Sequence, residues 1–94
     1  GRRRKFNRAD YARREELIRQ VKVPKTRRKA LVTMWESEFE LESNEYRALL
    51  IAACQLGWVA MASTIMDDMT RVGIPVNAKT YAVAIKVGRD FVLL

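Results

Sequence analysis

Residues 43–77 read SNEYRALLIAACQLGWVAMASTIMDDMTRVGIPVN, and the reading of this stretch decides the fold. Tyr46, Leu49, Leu50 and Ala53 recur at the i, i+3, i+4, i+7 spacing that gathers side chains on one face of a helix. Gly57 follows, where a left-handed helix stop favours glycine. A second periodic segment runs through Val59, Ala62, Met66, Met69 and Val72, with Met61 and Ile65 widening the stripe and Asp67 and Asp68 on the opposite face. Gly73 and Pro75 end it, and Asn77 suits the N-cap of a further helix. The stretch predicts a helix, a tight turn, a second helix and a short loop.

Working outward, the pattern repeats. Tyr11, Tyr46 and Tyr81 stand 35 residues apart. The same shift pairs Val21 with Leu56, Leu31 with Met66, Met34 with Met69 and Phe39 with Ile74. It places Phe6, Leu41 and Val76 in one apolar column and Asn7, Glu42 and Asn77 in the polar column beside it. Residue class is kept more than identity, as a stack of units burying their faces on each other requires. Residues 7–22 are expected to form a first helix capped by Asn7, with Tyr11, Leu17, Ile18 and Val21 inward. Pro24 suits the start of a second helix, where its missing N–H costs nothing, running through Ala30, Leu31 and Met34 to about Ser37. Residues 35–42 read as the loop between repeats, with a short strand as the alternative. Residues 78–87 form a further first helix around Tyr81, Ala84 and Ile85, weakened by Gly88. The expected fold is all-α: a short α-solenoid of about two and a half helix-turn-helix repeats behind a basic N-terminal arm. The arm spans 1–6, a degenerate repeat 7–42, the best-preserved repeat 43–77, and an incomplete repeat with an apolar tail 78–94.

Composition bounds the function. The 94 residues leave room for one small domain. A single cysteine excludes a disulfide framework, and the lack of histidine excludes His-dependent triads and His metal ligands. No apolar run reaches the roughly 18–20 residues that span a bilayer. The net charge of +7 is uneven. Residues 1–29 hold thirteen basic and three acidic residues, a net of +10, and residues 30–94 hold five basic and eight acidic, a net of −3. A segment so basic points to a polyanion, nucleic acid or anionic lipid, unless it is a solubilising or targeting arm. Ten of its cations form two clusters: Arg2, Arg3, Arg4, Lys5 and Arg8, then Lys22, Lys25, Arg27, Arg28 and Lys29. Both are candidate phosphate contacts, the arginines through two-pronged binding.

The run Asn44-Glu45-Tyr46-Arg47-Ala48-Leu49-Leu50, then Ala53-Cys54, Gly57, Ala62, Met69, Gly73-Ile74-Pro75 and Thr80-Tyr81, resembles a pentatricopeptide repeat. The 35-residue period separates it from the 34-residue tetratricopeptide repeat. The resemblance is specific over residues 43–85 and weaker over 7–42. It implies a solenoid whose first helices line a concave face, and single-stranded RNA binding in mitochondria or chloroplasts at about one base per repeat. It also implies that the residue after the helix tyrosine and the last residue of each repeat read the base. Those pairs are Ala12 with Glu42 and Arg47 with Asn77, followed by Ala82 alone. Ala12 and Ala82 have no hydrogen-bonding side chain, Glu42 repels phosphate, and Arg47 suits phosphate or stacking better than base choice. Only Asn77 fits the family pattern, so base-by-base reading is not expected.

Other residues take plainer readings. The tyrosines are expected to pack between repeats. Trp35 and Trp58 sit near helix ends, half-buried or as anchors for a protein neighbour. The methionines and Cys54 fill the core. Ser43 caps its helix without a capping box, since Tyr46 stands three residues on. Glu36, Glu38, Glu40, Glu42 and Glu45 read as a solvated loop rather than a metal site. No nucleophile–base pair, glycine-rich phosphate loop or metal-ligand cluster nominates an enzyme, a cofactor or a small-molecule substrate.

The expectation is therefore a structural RNA-binding protein of an organellar ribosome, mitochondrial or else chloroplast. Its basic clusters, Arg47 and Asn77 contact ribosomal RNA, and its helices and the apolar tail Phe91-Val92-Leu93-Leu94 meet neighbouring ribosomal proteins. The rivals are a helical-repeat adaptor between proteins and a fragment of a longer pentatricopeptide RNA-processing or stability factor.

Overall fold

Two glycines set the punctuation of the chain. In the computed structural model, which describes residues 8–37, 40–76 and 82, Gly57 has φ 69° and Gly73 has φ 84°. That left-handed region costs most residues about 1–2 kcal/mol and glycine almost nothing. Each glycine closes a helix in the same way. The Gly57 N–H donates to the Cys54 carbonyl at 3.0 Å and the Trp58 N–H to Ala53 at 2.9 Å. The Gly73 N–H donates to Thr70 at 3.1 Å and the Ile74 N–H to Met69 at 2.8 Å. These paired bonds satisfy the last carbonyls and turn the chain out of the helix.

Among the described residues four helices result: α1 (Arg8–Val21), α2 (Arg27–Glu36), α3 (Ser43–Gln55) and α4 (Val59–Arg71). No strand occurs among the described residues, so the fold is all-helical there, and Trp35 and Glu36 of the stretch offered as a strand belong to α2. With 10 to 14 residues each, none of the helices is stable alone, and packing must hold them. α1 packs on α2 and α3 on α4, while α3 also lies against α1 and α2. The central position of α3 explains its broad apolar surface. Tyr46, Leu49, Leu50, Ala52, Ala53 and Cys54 are all buried, more than one stripe can hold. Leu31, Met34, Leu49, Leu50, Ile65 and Met69 are completely enclosed, each worth about 1.5–3 kcal/mol relative to exposure.

Several sequence expectations need correction. Pro24 does not open α2. It lies in the turn of residues 22–26, which the reversal of direction requires, and α2 begins at Arg27 behind Thr26. Thr26 and Arg27 explain why. The Thr26 hydroxyl donates to the Gln20 carbonyl at 2.7 Å, and the Arg27 guanidinium donates to Val21 at 3.0 Å and Lys22 at 3.1 Å. The start of α2 is thus consumed in closing the end of α1. Tyr11 faces outward, 53 % exposed, whereas Leu17 and Val21 are buried as expected. On α4 the inward stripe is Ala62, Ile65 and Met69; Val59 and Val72 are about half exposed because one wall of α3 needs only one narrow face.

The N-terminus of α3 also departs from expectation. Glu42, not Ser43, is the N-cap, and its backbone N–H donates to Glu45 Oε1 at 2.8 Å. Glu45 is not in a solvated loop. It is buried and receives a two-pronged hydrogen bond from Arg14, with Arg14 Nε 2.7 Å from Oε2 and Nη2 bonded to Oε1. Asp68 is also not on a purely solvent face, since it accepts the Tyr46 hydroxyl at 2.7 Å. Tyr46 in turn meets the edge of Trp35 with ring centroids 6.3 Å apart. The expected helix around Tyr81, Ala84 and Ile85, the cap Asn7 and the tail 91–94 lie outside the described residues.

Candidate nucleic-acid interface

The first basic cluster is largely outside the described residues: Arg2, Arg3, Arg4 and Lys5 precede them, and Arg8 is described only as the backbone start of α1. Asn77 also falls outside. The second cluster is placed. Lys22 and Lys25 lie exposed in the turn between α1 and α2, and Arg28 and Lys29 lie exposed in the first turn of α2. Arg27 is half-buried, and its guanidinium donates to the Val21 and Lys22 carbonyls, which caps the end of α1.

Arg28 has a partner that sequence reading missed. Its Cζ lies 4.2 Å over the ring of Trp58, a cation–π contact. This stack brings the start of α2 beside the turn between α3 and α4, so both hairpin turns share one end of the molecule. The two residues are 30 positions apart, and no local pattern connects them. The charge at this end is one-sided. Neither α2 nor α4 carries an acidic residue in its first turn, and both N-termini add a partial positive charge there. The nearest carboxylate along α1 is Glu16, which accepts from Arg19 and from Gln20 Nε2 at 3.1 Å. The Arg19 hydrogen bond holds the Glu16 carboxyl below its ordinary range, and Glu16 raises Arg19 in return.

The opposite end is acidic. Glu36, Glu40 and Glu42 are exposed around the loop before α3, and Asp67 and Asp68 lie toward the end of α4. Arg71 hydrogen-bonds Asp68 and is raised by it. Between α1 and the start of α3 lies a cleft of about 370 Å³, lined among others by Tyr11, Glu15, Ile18, Glu42 and Asn44. This is the face where the family resemblance places base reading. Its cations Arg14 and Arg19 are bonded to Glu45 and Glu16, while Glu15 and Glu42 add negative charge. Such a cleft is a poor cradle for phosphate. Ala12 is exposed on α1 and offers no polar side chain. Arg47 is half-buried on α3, and its Nε is enclosed without a hydrogen-bond partner among the described residues.

Cys54 is 4 % exposed and burial pushes its thiol up, which keeps it protonated and inert. No group of three His, Cys, Asp or Glu that could hold a metal ion occurs among the described residues. No helix there is long and apolar enough to cross a membrane. No family model, curated protein or solved structure matches the chain.

Proposed function

We propose that the chain is a structural RNA-binding component of an organellar ribosome, mitochondrial or else chloroplast, that clamps ribosomal RNA without reading its sequence. One observation carries the reading: the exposed cations of the second cluster collect at one end of the helices, while Glu36, Glu40 and Glu42 lie exposed around the loop at the other. Such a polarised surface orients the molecule on a polyanion and leaves its acidic end for neighbouring proteins. In this reading, α1–α2 and α3–α4 are two pentatricopeptide-like units of an α-solenoid, and residues 78–94 begin a third. The 35 positions between the starts of α1 and α3, and the packing of α3 on both preceding helices, support that architecture. No catalytic step and no cofactor enters the mechanism. Arg and Lys neutralise phosphates, and the binding free energy comes from counterion release.

The protein-adaptor reading has one observation in its favour, the mixed-charge cleft between α1 and α3, which suits a peptide better than phosphate. Sedimentation of the tagged protein from organelle lysate separates the two. Co-migration with a ribosomal subunit, lost after RNase treatment or at high salt, supports the ribosomal reading. Migration in a small, RNase-insensitive complex overturns it in favour of the adaptor.

A further inference from the structure

We infer that single-stranded RNA is held at the hairpin-turn end, with a nucleobase on the Arg28–Trp58 stack and flanking phosphates on Lys22, Lys25 and Lys29, rather than in the cleft between α1 and α3. The inference rests on the RNA-binding reading above and assigns it a site.

Three observations converge. First, Arg28 is both charged and oriented. The Arg28 Cζ lies 4.2 Å from the Trp58 ring centroid while the residue stays exposed, so a planar cation is held beside an indole with surface left for a base. Stacking on aromatic or guanidinium planes is how unpaired bases are gripped whatever their identity. Second, the lysines bracket this plane along the chain, with Lys29 next to Arg28 in α2 and Lys25 and Lys22 in the preceding turn. All three are exposed, and no carboxylate of the neighbouring turns competes with phosphate for them. Third, Arg27 shows what a consumed cation looks like here: it closes α1 and is half-buried. Lys22, Lys25 and Lys29 remain exposed instead.

The same end exposes Val23 and Val59, so an anionic membrane is the rival occupant. RNA fits better. Trp58 is half-buried with the Arg28 guanidinium over its ring, so the residue best suited to a lipid interface is already occupied. An ordered planar cation also has more to offer a flat base than a fluid headgroup layer.

The test uses the full chain, fluorescence anisotropy with labelled oligouridine, and flotation with mixed phosphatidylcholine–phosphatidylserine vesicles, with circular dichroism confirming the fold of each variant. Replacing Lys22, Lys25 and Lys29 by Gln should weaken oligouridine binding at least about tenfold and flatten the log–log salt slope by about 2, at about 0.7 per phosphate contact. Arg28→Lys keeps the charge but removes the plane, so affinity should fall about tenfold with the salt slope unchanged. Tyr11→Ala with Asn44→Ala, on the cleft, should change affinity less than about twofold. If the cleft variant loses binding while the turn-end variants keep it, the site is overturned and the RNA-binding reading stands. If the unaltered chain does not bind oligouridine, both fall. Vesicle binding that survives the Arg28→Lys change, without oligouridine binding, transfers the surface to lipid and also overturns the site.

Discussion

Arg14 and Glu45 form the buried contact whose loss should be felt most. They join the middle of α1 to the first turn of α3, with relative exposures of 3 % and 7 %. Arg14→Met removes the guanidinium and keeps much of the stem volume. The Glu45 carboxylate then stays buried with the Glu42 N–H, 2.8 Å away, as its remaining partner. Breaking a buried pair from one side costs about 3–5 kcal/mol. The surviving hydrogen bond offsets about 1 kcal/mol, so a loss of about 2–4 kcal/mol is expected. A chain of this size has about 5–14 kcal/mol in total, so the variant should unfold at a clearly lower urea concentration. The double variant Arg14→Met with Glu45→Met leaves no stranded charge and should be less destabilised than the sum of the singles by at least about 1–2 kcal/mol. Urea unfolding of the four proteins, followed by circular dichroism at 222 nm, gives the cycle. A cost below about 0.5 kcal/mol for Arg14→Met, or additive single effects, would refute the idea that this pair fixes α1 on α3.

Further outcomes follow from other contacts. A Cβ on Gly73 would meet nothing within 4 Å, so Gly73→Ala should cost about 1–2 kcal/mol through φ alone, and Gly73→Asn less, as chemical denaturation would show. Arg27→Gln should lower stability by about 1–3 kcal/mol, because its bonds to the Val21 and Lys22 carbonyls are lost, while leaving the salt slope of RNA binding in place. Burial raises the Cys54 thiol, so the folded state holds that proton longer than the unfolded chain does. Its contribution is complete below the unfolded thiol pKa of about 8.5 and is lost as pH rises toward the folded value. Unfolding free energies measured from pH 7 to 10 should therefore fall less steeply for Cys54→Ala than for the unaltered chain.

The helices were legible where the signal is local. The Tyr46–Ala53 stripe, the two glycine stops and the spacing of Ala30, Leu31 and Met34 need only the neighbouring turn to make sense, and all appear in the structure. What escaped was tertiary. Glu45 sits among acidic residues in sequence, and only a partner 31 residues away gives it a buried place. Ser43 looks like a cap because serine often is one, yet the chain enters α3 through Glu42, extended at φ −88° and ψ 166°. Tyr11 shares a spacing with Tyr46, yet its ring is exposed while that of Tyr46 is enclosed, because Tyr46 meets Trp35 and Asp68. The candidate site divides the same way. The lysines were evident from composition, whereas the capping role of Arg27 and the Arg28–Trp58 stack arise from the meeting of distant turns.

The most direct test of the account is the salt dependence of oligouridine binding by the unaltered chain. Three lysines at the turn end, each neutralising a phosphate of single-stranded RNA, predict that log K falls with log salt at a slope of about −2. A steeper slope would add phosphate contacts from the basic residues before Arg13. A slope near zero, or no binding at low salt, would contradict the claim that this protein works by holding RNA phosphates.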